Sequence, residues 1–449
     1  MPQTLIHNAT IINEGKTFVG SVLIENEVIK RVFVAGEAIV VDGKYDAIDA
    51  SGKLLIAGAI DDQVHFREPG LTHKGDIRSE SRAAVAGGIT SFMDMPNVVP
   101  QTVTLENLEQ KFELAAKHSF AHYSFYIGAT NDNLAELRRV NPSQACGVKI
   151  FMGASTGNML VDSTETLSRI FAEIPLLIAI HSEDEQTINQ NKIYYRNLCG
   201  SEIPVKYHPL IRSAEACYKS TERAVALAEK YGARLHVLHL STERELVFFD
   251  ADKPLIDKKI TAEVCVHHLW FSDADYEKLG NRIKWNPAIK TERDRNALRE
   301  AIIAGKIDVV ATDHAPHLWQ EKQGDALKAA SGGPLVQHSL VAMFEMVRRG
   351  VFCYETVVER MCHAPATLFH IERRGFIREG YFADLALINP KTTWTVTDNN
   401  ILYKCGWSPF ENETFTHCIE TTWVNGAKVY DCGVFDESVR RVQSLKFVP

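Results

Sequence analysis

Leu54-Leu55-Ile56-Ala57-Gly58-Ala59-Ile60-Asp61-Asp62-Gln63-Val64-His65-Phe66-Arg67-Glu68-Pro69-Gly70 is an apolar run that breaks into charged and imidazole side chains just before a Pro-Gly turn. A strand over 54–60 with chemistry at its end is the reading that periodicity supports. Seven similar apolar runs follow, over 89–95, 123–129, 148–152, 176–180, 235–240, 260–266 and 307–311. Amphipathic helix patterns lie between them, the clearest over 105–116, 214–229 and 293–303. Eight strands alternating with helices are the arithmetic of an α/β fold, a (β/α)8 TIM barrel; a doubly wound open sheet also satisfies the periodicity.

Outside that core the pattern changes. Residues 1–53 give short hairpin-like strands over 10–12, 22–24 and 28–34, and residues 381–449 do so again. In the second segment Asn425-Gly426 stands between apolar runs, the sequence of a type I′ turn. Neither end is long enough to bury a core alone, so the two are expected to pair into one small β-rich domain beside a barrel spanning 54–380.

Composition narrows the function. Hydrophobic residues make up 45% and charged residues 24% of the 449, an ordinary globular mixture with enough apolar material for a large core. The net charge of -8, without a basic run, argues against a nucleic-acid or membrane-surface partner. The first residues have neither a charged n-region nor a continuous apolar stretch, so the chain is expected in the cytoplasm. Nine cysteines without a Cys-x-x-Cys pair read as reduced thiols.

In a barrel, residues at the C-terminal ends of the strands converge on one mouth. The polar residues that end or interrupt the runs are His65, Asn97, Lys149, His181, His239, His267 and Asp313. Singly, each has a plain structural explanation: a packed histidine, a snorkelling lysine, a helix-capping aspartate. Together, imidazoles and a carboxylate from separate strands make a zinc-type ligand set.

The stretch Asp61-Asp62-Gln63-Val64-His65-Phe66-Arg67-Glu68-Pro69-Gly70 resembles the opening motif of the dihydroorotases, a branch of the amidohydrolase superfamily. The resemblance continues through Met95-Pro96-Asn97, His181-Ser182-Glu183, His239-Leu240-Ser241, Asn286-Pro287 and Asp313-His314-Ala315-Pro316-His317. It ends in Gly380-Tyr381-Phe382-Ala383-Asp384-Leu385 and Val424-Asn425-Gly426. It implies a hydrolase of cyclic amide C–N bonds, interconverting (S)-dihydroorotate and N-carbamoyl-L-aspartate in pyrimidine biosynthesis. His65, Lys149, His181, His239 and Asp313 would be the metal ligands, with Lys149 carboxylated by CO2 and Asp313 also the proton carrier. Arg67, Asn97, Asn286, His317 and the backbone of Gly332 and Gly333 would hold a small anionic substrate. The resemblance further implies one or two zinc ions, a homo-oligomer and an association with aspartate transcarbamoylase.

One departure matters. Gln63 stands where the family has its first metal-binding histidine, and an amide oxygen is the weaker donor, so the second zinc is the doubtful one. Rival readings are another cyclic-amide hydrolase, such as a hydantoinase, dihydropyrimidinase or allantoinase, and a non-catalytic scaffold subunit. Arg67 and His317 speak against substrates without a carboxylate, and the surviving ligand set speaks against a scaffold. Ser155-Thr156-Gly157 reads as a lid or an ordinary turn, and His267, His268, His314 and His338 carry no assigned role.

Overall fold

A computed structural model describes residues 3–153 and 159–448; Ser155-Thr156-Gly157 lies outside the described residues. Eight strands in chain order form one parallel sheet: Ala59–Val64, Ile89–Asp94, His122–Gly128, Gly147–Phe151, Ile178–His181, Leu235–Val237, Ile260–Cys265 and Val309–Ala311. Val64 pairs in parallel with His314, and His65 N–H donates to the His314 carbonyl at 2.7 Å, closing the sheet into the expected TIM barrel. The three clearest helix patterns are helices Leu105–His118, Ala214–Tyr231 and Glu292–Ala304. Each starts where a hydroxyl, that of Thr104, Ser213 or Thr291, accepts a backbone N–H of the first turn.

The run over 54–60 is a correction to the sequence reading. It is two strands in two sheets: Leu54–Ala57 pairs with Gln3–Asn13 and Leu385–Asn389, and only Ala59–Val64 enters the barrel. Gly58 is the crossing point. It donates to the Asp384 carbonyl at 2.8 Å, and a Cβ there would run into the Thr90 side chain. Apolarity marks both pieces as buried without saying in which sheet.

Both termini build the second sheet, with Gln3–Asn13, Lys16–Glu25 and Val28–Val34 on one side and Leu385–Asn389, Cys418–Val424 and Ala427–Asp431 on the other. Leu54–Ala57, placed by periodicity within 54–380, joins the two halves. Asn425 and Gly426 have φ of 46° and 70°, the positive pair a type I′ turn requires. The last residues leave this sheet: Leu445 N–H donates to the Tyr123 carbonyl at 2.8 Å. Leu445 and Phe447 then pack with Ile60, Met93 and Tyr126. All nine cysteines are free thiols. Among the described residues no helix is long and apolar enough to cross a membrane.

Candidate active site

The strand ends surround a cavity of about 290 Å³ lined by Gln63, His65, Arg67, Asn97, Lys149, His181, His239, Asn286, Asp313, His317 and Gly332, among others. The sequence reading and the geometry meet here: residues from widely separated segments share one mouth. Arg67, His239 and Asp313 have φ of 69°, 43° and 46°. Left-handed backbone costs a non-glycine residue on the order of 1–3 kcal/mol, a strain that clusters at functional sites.

Hydrogen bonds fix which ring nitrogen faces the cavity. The Asn97 side-chain oxygen lies 2.6 Å from His65 Nδ1 and accepts its N–H. His65 Nε2 therefore presents a lone pair to Asp313 Oδ1 at 3.0 Å. Two acceptors at that distance require a cation or a proton between them. His181 Nε2 donates to Glu183 Oε2 at 2.9 Å, so its Nδ1 faces His239 Nε2 at 3.0 Å. Burial holds both of these imidazoles below their usual range, and the charge of Lys149 adds to it. Glu183 is kept charged behind them: burial pushes its carboxyl up, but Arg212 and His181 bring it well below the usual carboxylate range.

Lys149 is 1% exposed, and burial lowers its pKa to about 7, opposed by the carboxylates of Asp313 and Glu263. A divalent metal of the zinc type fits these donors: imidazole nitrogens of His65, His181 and His239 turned toward the cavity, a carboxylate, and a lysine that readily becomes a neutral amine.

Another part of the lining is cationic. Arg67, 6% exposed, donates from Nε to the Pro316 carbonyl at 3.0 Å and approaches His317 Nε2 at 3.2 Å. Lys74 Nζ lies 3.1 Å from His317 Nδ1 and 2.6 Å from Glu321. Burial, then Arg67 and Lys74, push the His317 imidazole far down. A neutral imidazole has one acceptor nitrogen and here meets two donors, so the cluster has donor capacity to spare for an anion.

Other residues take more specific places than the sequence suggested. Among the described residues, Asn286 Oδ1 at the cavity wall is buried without a hydrogen-bond partner, an acceptor open to a ligand. Gly332 lines the cavity with both backbone groups engaged, its N–H on the Lys284 carbonyl and its carbonyl receiving Lys322 Nζ at 2.7 Å. It contributes shape: at φ of 122° a Cβ would stand 2.7 Å from the Ala315 carbonyl. Gly333 lies behind the wall, where a Cβ would meet Trp285 at 2.5 Å. His267 stacks on Trp285, with centroids 4.5 Å apart and planes at 19°. His268 donates to the Pro287 carbonyl at 3.1 Å, its pKa lowered by burial to about 4. His314 is structural, donating to Glu80 at 2.8 Å and accepting from Leu335 and Val336. His338 is likewise tied to Ser408 and Tyr403. Sequence reasoning missed Lys74, which no periodicity marks. It also gave no role to Glu183, although Glu183 follows His181 by two positions.

The amidohydrolase family model matches residues 54–429. The chain is 33% identical over 423 residues to a dihydroorotase of Methanosarcina acetivorans, covering 92% of this chain and 88% of that protein. It is 31% identical over 393 residues to an allantoinase of Bacillus velezensis, covering 86% of each. Its fold is similar to that of the L-hydantoinase of Arthrobacter aurescens, with a TM-score of 0.92 at 24% identity and 99% of both chains covered.

Proposed function

Because this chain belongs to the amidohydrolase family, we propose that it is a dihydroorotase, a metal-dependent enzyme that opens and closes the ring of (S)-dihydroorotate. Relatives bearing the names dihydroorotase and allantoinase have similar identities to it, so sequence similarity alone does not choose the substrate. The observation that carries the choice is Arg67 and His317 at the cavity wall, with Lys74 behind His317. Dihydroorotate has a carboxylate for them; hydantoin, dihydrouracil and allantoin have none.

On this reading His65, His181, His239, Asp313 and a carboxylated Lys149 would hold zinc, which when bound would supply Lewis-acid activation of the scissile carbonyl and of water. Carboxylation joins the neutral Lys149 Nζ to the carbon of CO2 and releases one proton, giving a carbamate whose single negative charge is shared by two oxygens. Asp313 takes the proton of the attacking water and delivers it to the departing ring nitrogen. Arg67 binds the substrate carboxylate with its planar fork, and Asn286 Oδ1 accepts a ring N–H. Asn97 acts mainly by holding the His65 ring.

The test is turnover by the metal-replete protein of dihydroorotate, hydantoin and allantoin side by side. Dihydroorotate alone should be hydrolysed efficiently. Preference for either of the others would refute the proposal, and no turnover of any would point to a scaffold.

A further inference from the structure

A second meeting of acceptors lies deeper in the barrel. Asp62, His236 and Glu263 belong to the strands Ala59–Val64, Leu235–Val237 and Ile260–Cys265, and all three are 0% exposed. Asp62 and His236 precede the mouth residues Gln63 and His239 on their own segments. The Thr261 hydroxyl donates to the Leu235 carbonyl at 3.2 Å. Its oxygen is then the acceptor for His236 Nδ1–H, 2.8 Å away. That leaves His236 Nε2 as a lone pair, 3.1 Å from Asp62 Oδ2 and 4.0 Å from Glu263 Oε2.

Two further atoms point to a missing positive partner. Among the described residues, Asp62 Oδ1 and Glu263 Oε2 are buried with no hydrogen-bond partner. Asp61, the residue before Asp62, differs: Thr312 Oγ1 at 2.6 Å, Thr312 N–H and Gln63 N–H satisfy it. A proton on His236 would settle its contact with Asp62 and still leave both orphan oxygens desolvated, a costly arrangement. One ligand atom each from Asp62, His236 and Glu263 lie within 4.8 Å of one another.

We propose that Asp62, His236 and Glu263 form a structural site for a divalent cation of the zinc type inside the barrel, separate from the catalytic mouth. One imidazole nitrogen and two carboxylate oxygens are suitable donors, and Thr261 is the outer partner that sets the histidine tautomer. The ion would neutralise two carboxylates and engage oxygens that accept no hydrogen bond among the described residues. It also braces the mouth, because the other Glu263 oxygen, Oε1, accepts the backbone N–H of His239 at 3.1 Å, where the chain holds its left-handed turn.

Zinc-edge anomalous diffraction from crystals of the full chain grown in zinc-buffered solution tests the site directly. The expected result is a peak about 2.0–2.2 Å from an oxygen of Asp62, His236 Nε2 and an oxygen of Glu263. Saturating zinc with no peak there, and His236 Nε2 still in direct contact with Asp62, would overturn the proposal. A core peak with an empty mouth would uphold this site while contradicting the proposed function, so the two failures are distinguishable. In solution, Asp62→Asn should bind one zinc ion per chain fewer than the natural protein; an unchanged count would also overturn it. If that variant does not fold, the anomalous map alone decides.

Discussion

The Gln63 side-chain amide turns its nitrogen, not its oxygen, toward the mouth: Nε2 donates to Asp313 Oδ1 at 3.3 Å. Its oxygen faces Cys265 Sγ at 3.8 Å. An amide nitrogen has no lone pair for a metal, so the position that usually adds a histidine adds a donor hydrogen here. Two zinc ions, where bound, should therefore differ in affinity, the tighter at His181, His239 and Lys149 and the weaker at His65. Gln63→His should tighten the weaker site about tenfold or more, in a titration with metal-buffered zinc. Two equally tight sites in the natural protein would contradict this.

Lys149 is expected to be carboxylated in the metal-loaded protein. Burial brings its pKa to about 7, so near neutral pH a large fraction is the free amine that adds to CO2. Lys149→Ala should abolish activity, with partial rescue by acetate or propionate. Electron density showing a bare amine turned away from His181 and His239 would sink the idea.

Arg67→Lys keeps a charge but loses the fork that matches a carboxylate. Dihydroorotate binding should weaken about 10- to 100-fold, read as KM, with bound zinc unchanged. Lys74→Met should act in the same direction but more weakly, since Lys74 reaches the cavity through His317. Loss of zinc with full affinity for a carboxylate inhibitor would reverse the assignment.

Asp384 ties the closing hairpin to the barrel. It accepts from Asn425 N–H at 2.8 Å and pairs with Arg374 and His122. Burial pushes its carboxyl up, but Arg374 and His122 bring it far below the unfolded value. A carboxyl depressed on folding stabilises the native state above its unfolded pKa of about 3.9, and the gain fades as pH falls from there toward the folded value. Arg374→Met should cost about 3–5 kcal/mol in urea unfolding at neutral pH, by stranding the buried carboxylate. The difference from the natural protein should shrink below about pH 4. An equal difference at pH 7 and pH 3 would show that Asp384 is not the group responsible.

Much of this site was legible because a barrel turns a one-dimensional clue into a place. His65, His181, His239 and Asp313 end or follow apolar runs, and in a closed parallel barrel such positions meet. Lys149 stood out as a charge inside an apolar run. Lys74 could not be found this way, since it sits in an irregular segment after Pro69-Gly70 and contacts His317, 243 positions away. The run over 54–60 hid a change of sheet because both halves are equally apolar. Asp62, His236 and Glu263 lie inside or beside strand runs, where only three-dimensional pairing shows that their acceptors face one another.

The most direct measurement of the central claim compares kcat/KM for dihydroorotate with that for dihydrouracil, the same ring without its carboxylate. If Arg67, Lys74 and His317 recognise the carboxylate, the natural protein should favour dihydroorotate by about 10²–10⁴-fold, and Arg67→Met should remove most of that preference. Comparable rates on the two rings, or a preference untouched by Arg67→Met, would contradict the account.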